Sequence, residues 1–380
     1  MYDAIVVGGG IVGIASAYYL VRSGARTLLI DRGDTGRATD AGAGILAPET
    51  VSRDSEDWVN FAIPAVQLYK PLVEELSAAG AEDTGYSVCG QLTLAISEDE
   101  DESYREAERR VFERQKRRGT PSDADLYRVD SEQARAFFPA LGEIRGGFYF
   151  RHGARVDGRK MAAALRHVAL QHGLEIRTAG VDQLLIEGNK VVGVQVGSET
   201  IKAGAVAITG GAWSGPFSQQ LGMHIPIAPQ RGQIIHLSLP GVDTSTWPVI
   251  NAFRGHYMVP WPDSRVVVGA TREDGVGFAP HTTAAGINTV LSEALRVAPG
   301  LANASIREIR VGLRPYLPDR LPVLGAVPNY EQVFVAFGHG PTGLQLGPFS
   351  GKIIADLIAK RPLEVDISAM RADRFEPTSA

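Results

Sequence analysis

The sequence has little of several things that would point to a particular class of protein. Its single cysteine, Cys89, excludes an internal disulfide and cannot build a zinc site by itself, so we interpret it as a small buried hydrophobic residue. The formal net charge of −5 and the isoelectric point near 5.9 argue against a protein that binds nucleic acid through positive charge. We therefore expect neither a metal centre nor a nucleic-acid partner.

Signals for export or for a membrane span are missing as well. No run of residues approaches the roughly 18 apolar residues that a spanning helix needs. The apolar N-terminal stretch lacks a basic segment and is interrupted by glycines, so it does not fit a signal peptide. With 380 residues, 44% of them hydrophobic and 21% charged, the chain is typical of a globular protein with two domains or one elaborated domain. We expect a cytoplasmic location.

What the sequence does contain is a glycine-rich loop close to its start. Residues 3–7 (Asp-Ala-Ile-Val-Val) are typical of a short buried strand, and residues 8–13 (Gly-Gly-Gly-Ile-Val-Gly) match the G-x-G-x-x-G pattern. The residues that follow predict a helix over 14–23 and a second strand over 26–31, which ends in Asp31. A strand, a loop, a helix and an acid-terminated strand in this order predict a dinucleotide-binding unit.

Each part of this unit has a physical role. Gly8 permits the tight turn, Gly10 lets the backbone approach a pyrophosphate, and Gly13 lets the helix pack closely on the strand. The free N–H groups and the positive dipole end of the helix favour phosphate. Asp31 can bind both hydroxyls of an adenosine ribose, which favours FAD or NAD over NADP. The alternative is an incidental tight turn, because a G-x-G-x-x-G match alone is a weak signal.

A second strand–loop–helix unit lies near the end of the chain. Residues 332–337 predict a strand, residues 338–343 (Gly-His-Gly-Pro-Thr-Gly) a loop, and residues 346–360 a helix. The N-terminus of this helix is expected to face an anionic group. Residues 205–213 predict another buried strand, whose end would lie beside the first glycine loop in a doubly wound sheet. The sheet is therefore expected to draw on both ends of the chain.

The middle of the chain predicts a second structural unit. Residues 228–239 and 248–271 are typical of long strands in a separate antiparallel sheet, and residues 174–196 of a β-meander. The sequence therefore predicts an α/β (α+β) fold, in which a Rossmann-like dinucleotide-binding domain is interleaved with an antiparallel-sheet substrate domain. The predicted boundaries are 1–85, 145–225 and 325–380 for the dinucleotide-binding domain, and 86–144 and 226–324 for the substrate-binding domain.

Together these motifs resemble the FAD-dependent D-amino acid oxidase superfamily, which includes glycine oxidase, sarcosine oxidase and D-amino acid dehydrogenase. The resemblance covers nearly the whole chain. It rests on four segments in the same order, which are residues 8–13 with Asp31, residues 209–214 (Thr-Gly-Gly-Ala-Trp-Ser), residues 312–325 (with Gly-Leu-Arg-Pro and Asp-Arg-Leu-Pro-Val-Leu-Gly) and residues 338–344. The first segment occurs in many flavoproteins, whereas the third and fourth together are much more specific.

The resemblance implies an FAD-binding domain and a set of site residues. It pairs Arg314 with the substrate carboxylate and matches Tyr257 to the active-site tyrosine of glycine oxidase, with the neighbouring His256 as a further catalytic candidate. An arginine offers a planar fork that suits a carboxylate, although an ordinary salt bridge for Arg314 and a half-buried sheet tyrosine for Tyr257 remain alternatives. The residues assigned to FAD are Gly8, Gly10, Ile11, Val12, Gly13, Asp31, Arg32, Arg37, Ala41, Gly42, Ala43, Gly44, Ile45, Val181, Thr209, Gly210, Gly211, Trp213, Arg314, Gly338, His339, Gly340, Pro341, Thr342, Gly343 and Leu344.

The implied activity is FAD-dependent oxidation of the Cα–N bond of glycine, an N-substituted glycine or a D-amino acid. The product would be an imine that hydrolyses to an oxo acid plus an amine or ammonia, with O2 as the expected electron acceptor. Cys89 lies far from the C-terminal motifs where sarcosine oxidase tethers its flavin, so we expect non-covalent FAD. Pro341 stands where glycine oxidase carries an arginine, which leaves the substrate open. The alternatives are a flavin dehydrogenase of a proline-type amino acid or a 2-hydroxy acid, and a non-catalytic binding protein on the same fold.

Overall fold

The described residues form three β-sheets, which are built from alternating segments of the sequence. The computed structural model describes residues 1–51 and 55–375. The strands in this part of the chain are β1 (Tyr2–Val7), β2 (Thr27–Asp31), β3 (Ile45–Leu46), β4 (Ser87–Val88), β5 (Gln91–Ala95), β6 (Leu126–Val129), β7 (Gly146–Phe150), β8 (Ala154–Arg155), β9 (Glu175–Thr178), β10 (Gln183–Glu187), β11 (Lys190–Val196), β12 (Glu199–Ile208), β13 (Ala228–Ser238), β14 (Val249–Ala252), β15 (His256–Trp261), β16 (Arg265–Gly269), β17 (Ser305–Tyr316), β18 (Val323–Ala326) and β19 (Val333–Phe337).

Helices cover the sheets and link many of the strands. The α-helices of the described residues are α1 (Ile11–Arg22), α2 (Ala38–Ala41), α3 (Glu56–Gln67), α4 (Tyr69–Ala78), α5 (Asp101–Arg118), α6 (Ser131–Phe137), α7 (Gly158–Gln171), α8 (Gly215–Gln220), α9 (Ala284–Val297) and α10 (Gly343–Ile358). Among these residues, no helix combines the length and the apolar character that crossing a membrane requires.

The first sheet joins the two ends of the chain. β1 pairs in parallel with β2 and with β12, while β9 pairs in parallel with β2 and β19 with β12. The last four residues of β1 and the first four of β2 are buried, as a parallel strand that is covered on both faces requires. The Rossmann-like α/β architecture expected from the sequence is confirmed.

Helices α1 and α10 pack against each other over this sheet at very short distance. A Cβ atom at Gly351 would lie 2.6 Å from Cβ of Ala15, and one at Gly347 would lie 2.8 Å from Cγ2 of Ile11. Glycine at both positions is therefore what lets the two helices approach. Because α1 follows β1 and α10 follows β19, and both strands run parallel to β12, the N-terminal ends of both helices reach the same edge of the sheet.

The β-meander of the first sheet consists of β10, β11 and β12, which pair antiparallel in this order. The prediction that the meander begins at residue 174 was wrong, because β9 pairs in parallel with β2, with Leu28 opposite Glu175 and Asp31 opposite Thr178. α7 precedes β9 and packs against α1, so the chain returns to the sheet in the direction of β2, as in a β-α-β crossover.

The second sheet has the strand order β17-β13-β16-β15-β14-β5-β7-β6. Neighbouring strands are antiparallel except for β14 and β5, which are parallel. The sheet that was expected to be antiparallel therefore contains one parallel pair. One face is covered by α9, whose Val290 and Ala294 belong to the apolar core on that side. Because side chains alternate along a strand, every second residue faces the other way, toward the first sheet.

Two features of this sheet differ from the expectations. The twelve-residue strand β17 was not predicted, because arginines and a glutamate interrupt its apolar pattern; its pairing with β13 defines it. Strand β7 pairs with β5 and β6, so residues 146–150 belong to the second sheet and not to the dinucleotide-binding segment that was predicted to start at residue 145. The other domain boundaries stay predictions.

Candidate active site

A large cavity opens where the first sheet meets the second. Its volume is about 450 Å³, within the usual range for a ligand pocket. Its walls come from the loops after β1, β2, β12 and β19, from residues 38–45 and from the inner face of the second sheet. The backbone N–H of Leu313 donates to the carbonyl of Gly36 at 2.8 Å, which ties β17 to the loop that follows β2. The cavity lies outside the carboxyl ends of the parallel strands, where α/β sheets commonly bind ligands.

The first glycine loop is packed as tightly as its sequence suggests. Gly8 has φ of +104°, a conformation that favours glycine. A Cβ atom at Gly13 would lie 1.8 Å from the carbonyl oxygen of Gly8, so only glycine allows α1 to start this close to β1. The Thr209 hydroxyl donates to the carbonyl of Val7 at 2.9 Å and lies 3.0 Å from that of Gly8, which joins the end of β12 to the same loop.

Asp31 lies at the end of β2 and on the cavity wall. One carboxylate oxygen accepts a short hydrogen bond from the N–H of Gly9, and the other accepts from the N–H of Gly33 at 2.8 Å. A guanidinium nitrogen of Arg37 lies 3.5 Å from the carboxylate. These contacts hold the carboxylate beside the glycine loop, where a ribose hydroxyl could reach it.

The second glycine loop closes the cavity from the other side. A 3₁₀ turn over Gly340–Thr342 leads directly into α10. The imidazole of His339 is buried, and Nε2 lies 2.9 Å from Oγ of Ser350. Burial lowers the pKa of His339 from 6.5 to about 4, so the ring is neutral near pH 7. The N-terminus of α10 therefore meets the cavity without an added positive charge from this histidine.

Arg314 and Tyr257 lie together on the wall that the second sheet provides. Nη1 of Arg314 donates to the carbonyl of Thr271 at 3.0 Å, and within the described ranges the guanidinium forms no salt bridge with a carboxylate. Cζ and both terminal nitrogens of the guanidinium lie against Gly232. Burial raises the pKa of Tyr257, opposed by the nearby positive charge of Arg314. This end of the cavity therefore offers a guanidinium and a protonated phenol.

Most of the predicted site residues line this cavity. They are Gly8, Gly10, Ile11, Val12, Asp31, Arg32, Arg37, Ala41, Gly42, Ala43, Gly44, Ile45, Val181, Thr209, Gly210, Gly211, Trp213, Tyr257, Arg314, His339, Gly340, Pro341, Gly343 and Leu344. Three predicted residues lie behind the wall. Gly13 packs on Gly8, Gly338 forms the turn after β19 with φ of +79°, and the Thr342 hydroxyl donates to the carbonyl of His339 at 2.9 Å.

His256 is the predicted catalytic residue that the structure does not bring to the cavity. It directly precedes Tyr257 on β15, so the two side chains point to opposite faces of the sheet. His256 lies instead beside Val290 and Ala294 of α9, and burial lowers its pKa. Neighbouring residues of a strand lie on opposite faces of the sheet. The structure therefore does not support the expected catalytic role of His256.

Several residues of the cavity wall were not predicted, and they include Thr39, Gln345, Gly232 and Arg272. The hydroxyl of Thr39 accepts a hydrogen bond from the N–H of Ile11 at 2.9 Å and thereby caps α1. Oε1 of Gln345 accepts a hydrogen bond from the N–H of Ala47 at 3.1 Å. Both are polar residues within or next to the predicted loops, which is a signal that could have identified them. Gly232 and Arg272 also line the cavity, but nothing in their local sequence marks them, because their position depends on the register of the second sheet.

The fold and the cavity define a class of protein. The family model described as FAD dependent oxidoreductase matches residues 3–357, and the chain belongs to this family. It is an FAD-dependent amine or amino-acid oxidoreductase, as expected. The alternative of a non-catalytic binding protein is thereby set aside.

Three individual proteins show which members of this family the chain is similar to. An oxidoreductase of Bacillus subtilis (strain 168), named YurR and described as uncharacterized, is 38% identical, with 97% of this chain and 98% of that protein covered. The structure of iminodiacetate oxidase (IdaA) from Chelativorans sp. BNC1 superposes with a TM-score of 0.91 at 38% identity, covering 97% of this chain and 98% of that one. Glycine oxidase from Geobacillus kaustophilus reaches 0.90 at 27% identity, with 98% of each chain covered. The resemblance to the glycine oxidase group is confirmed.

The residues around the cavity fit FAD, the cofactor of the family. The N-termini of α1 and α10 both open onto the cavity and favour anionic groups. Nε2 of Gln345 is buried on the cavity wall with no hydrogen-bond partner in the described part of the chain, and a bound ligand would satisfy it. When bound, FAD supplies the two-electron oxidation. Cys89 is not among the lining residues, which is compatible with non-covalent binding, and this stays a prediction.

Proposed function

We propose that this protein oxidises the Cα–N bond of glycine or of an N-substituted glycine, with O2 as the electron acceptor. The observation that carries the proposal is Arg314, an arginine on the cavity wall that forms no salt bridge with any carboxylate of the described residues. Such a guanidinium suits a substrate carboxylate. The relatives named for glycine and for iminodiacetate support the same substrate class, because both compounds contain an N–CH2–COO⁻ unit.

In this proposal the protein contributes mainly binding and orientation. Arg314 is oriented by the Thr271 carbonyl and binds the carboxylate, while the protonated Tyr257 donates a further hydrogen bond. The methylene group loses a hydride equivalent and the nitrogen loses a proton, which leaves an imine. Water adds to the imine and releases glyoxylate with an amine or ammonia, and O2 takes up the two electrons and two protons as hydrogen peroxide. Holding the methylene in one orientation is the catalytic contribution of these residues.

The test is an anaerobic titration of the purified flavoprotein with glycine, sarcosine, iminodiacetate and D-alanine. Compounds with an N–CH2–COO⁻ unit should remove the visible absorption of the oxidised flavin. Arg314→Ala should raise KM by about 100-fold, because it deletes a charge-assisted hydrogen-bond pair worth about 3 kcal/mol. In air, one hydrogen peroxide should form for each glyoxylate.

The matched control is Arg307→Ala on the same strand. Arg307 is exposed and pairs with Asp263 at 2.7 Å, and it does not line the cavity, so KM should not change. Flavin reduction by D-alanine alone, or an unchanged KM in Arg314→Ala, would contradict the proposal. Glyoxylate without peroxide would contradict only the choice of O2.

A further inference from the structure

A hydrogen-bond network lies behind the part of the cavity wall that carries Arg314. It begins at Thr271, whose carbonyl accepts the hydrogen bond from Nη1 of Arg314 at 3.0 Å. Thr271 is buried and lies two residues after the end of β16. The groups that fix the backbone of Thr271 therefore also fix the direction in which the guanidinium of Arg314 points.

The side chain of Thr271 links this backbone to a carboxylate. Its hydroxyl donates to Oε1 of Glu273 at 2.7 Å and accepts from the backbone N–H of Gln233 on β13 at 3.0 Å. The backbone N–H of Thr271 donates to the carbonyl of Gln233 at 3.3 Å. Thr271 is therefore held between β13 and Glu273.

Glu273 is surrounded by hydrogen-bond donors. Oε1 also accepts from Nε2 of Gln233 at 2.6 Å, and Oε2 accepts from Nε and Nη2 of Arg231 at 3.1 and 2.6 Å. Partial burial raises the pKa of Glu273, but the hydrogen bonds from Arg231, Thr271 and Gln233 outweigh burial and lower the pKa overall. Glu273 is therefore an ionised carboxylate near pH 7, and both of its oxygens are committed to this network.

Helix α9 anchors the network on its other side. Oε1 of Gln233 accepts from the backbone N–H of Thr283 at 2.9 Å, and Nε2 of Gln233 donates to the Thr283 hydroxyl at 2.9 Å. The same hydroxyl caps α9, because it accepts from the N–H of Gly286 at 3.1 Å. The donors around Glu273 are therefore held in place by a strand and by a helix terminus.

Glu273 acts from outside the cavity. Gly232 lines the cavity and packs against the guanidinium of Arg314. Its neighbours Arg231 and Gln233 face the other way, because side chains alternate along β13. Neither these two residues nor Glu273 are among the residues that line the cavity. Glu273 can therefore influence Arg314 without touching a ligand.

The carboxylate of Glu273 also favours the charged form of Arg314. Burial lowers the pKa of Arg314, and Tyr257 and the carboxylate of Glu273 oppose this effect. Within the described residues, Glu273 pairs with Arg231 and forms no salt bridge with Arg314. Its effect on Arg314 is therefore exerted through Thr271 and through charge at a distance.

We propose that Glu273 is a positioning residue for the recognition of the substrate carboxylate. Through the hydroxyl of Thr271, Glu273 fixes the carbonyl that directs Arg314 into the cavity. When this link is broken, the guanidinium loses its orientation and binds a carboxylate less tightly. This inference rests on the proposed binding of the substrate carboxylate by Arg314.

The test measures carboxylate binding to the oxidised holoenzyme without turnover. The probe is methoxyacetate, the oxygen analogue of sarcosine, and its Kd is determined from the change in flavin absorption. Glu273→Gln keeps the size of the side chain but replaces an acceptor oxygen by a donor, so a donor around it loses its partner. We expect methoxyacetate to bind about tenfold more weakly. With sarcosine, KM should rise by about the same factor while kcat is retained.

Variants of Thr271 test the link itself. Thr271→Ser keeps the hydroxyl and should bind methoxyacetate as the wild-type protein does. Thr271→Val has a similar shape without the hydroxyl, and it should weaken binding about tenfold. Combining Thr271→Val with Glu273→Gln should again cost about tenfold, because both changes break the same link. Separate structural roles of the two residues would instead multiply to about a hundredfold loss.

Glu308→Gln on β17 is the matched control for the loss of a charge. Glu308 pairs with Arg310 at 2.9 Å and does not line the cavity. The Kd of methoxyacetate should therefore stay at the wild-type value. Flavin content and thermal unfolding are measured on every variant, so that a protein that has lost FAD or its fold is recognised. If Glu273→Gln does not fold, the comparison of Thr271→Ser with Thr271→Val decides.

The outcomes distinguish this inference from the proposed function. If Arg314→Ala weakens methoxyacetate binding but Glu273→Gln and Thr271→Val do not, the positioning role is refuted and the proposed function stands. Losses that multiply in the double variant refute the link through Thr271. If methoxyacetate does not bind the wild-type protein, or binds Arg314→Ala equally well, the proposed function itself fails.

Discussion

Replacing Gly232 by alanine tests whether the position of Arg314 controls the activity. Gly232 lies on β13, and the guanidinium of Arg314 on β17 packs directly against it. A Cβ atom at position 232 would lie 2.3 Å from Nη2 and 2.5 Å from Cζ of Arg314, whereas non-bonded heavy atoms prefer about 3.5 Å or more. The guanidinium must therefore move by about 1 Å, because it is the flexible part of the contact.

This displacement allows an estimate of the effect on the enzyme. A misplacement of about 1 Å can cost on the order of 100-fold in rate. We expect kcat/KM of Gly232→Ala to fall by about that factor, mainly through KM, because Arg314 is proposed to bind the carboxylate. Movement of the side chain relieves the clash, so the loss of stability should stay below about 2 kcal/mol.

The assay is steady-state oxygen consumption, with flavin content and thermal unfolding measured on the same samples. Gly215→Ala is the matched control, since a Cβ atom there would meet only Cγ2 of Ile227, at an ordinary 3.7 Å. A fully flavinated Gly232→Ala protein with unchanged kcat/KM would refute the role of Arg314 in positioning the substrate. Loss of FAD in this variant alone would instead show that this wall serves the cofactor.

Two further predictions concern the cofactor end of the cavity. Gly13→Ala would place a Cβ atom 1.8 Å from the carbonyl oxygen of Gly8, so α1 must move away from β1. We expect the affinity for FAD, measured by titration of the apoprotein, to fall at least about tenfold. Retained affinity would contradict the pyrophosphate role of this loop. The second concerns His339, whose folded-state pKa is lowered from 6.5 to about 4 by burial; the unfolded chain takes up the proton first, so stability is lost as pH falls from 6.5 toward 4. Between pH 7 and pH 5 this loss of stability is about 2 kcal/mol. Over the same pH range, the free energy of unfolding measured with urea should therefore decrease less in His339→Gln than in the wild-type protein. Equal decreases in the two proteins would argue against a neutral buried imidazole.

The sequence by itself determined the cofactor end of this protein. Gly8, Gly13 and Asp31 act within one contiguous β-α-β unit, and the second loop at residues 338–344 is equally local. The constraints there are short-range, since a tight turn, a close helix and an acid at a strand end each impose a residue type at a fixed spacing. The α/β class and the FAD-dependent family could therefore be inferred before any tertiary contact was known.

Only the tertiary structure decided the substrate end. His256 and Tyr257 are adjacent in the sequence, yet the pleat of β15 sends one to the helix side and the other to the cavity. Gly232 on β13 and Arg314 on β17 lie against each other because these two strands pair in one register across a long sequence separation. Arg272 follows β16, which also pairs with β13. No local pattern encodes that register, because it follows from how the second sheet buries its two faces. This packing brings two arginines, Arg272 and Arg314, to the wall of one cavity.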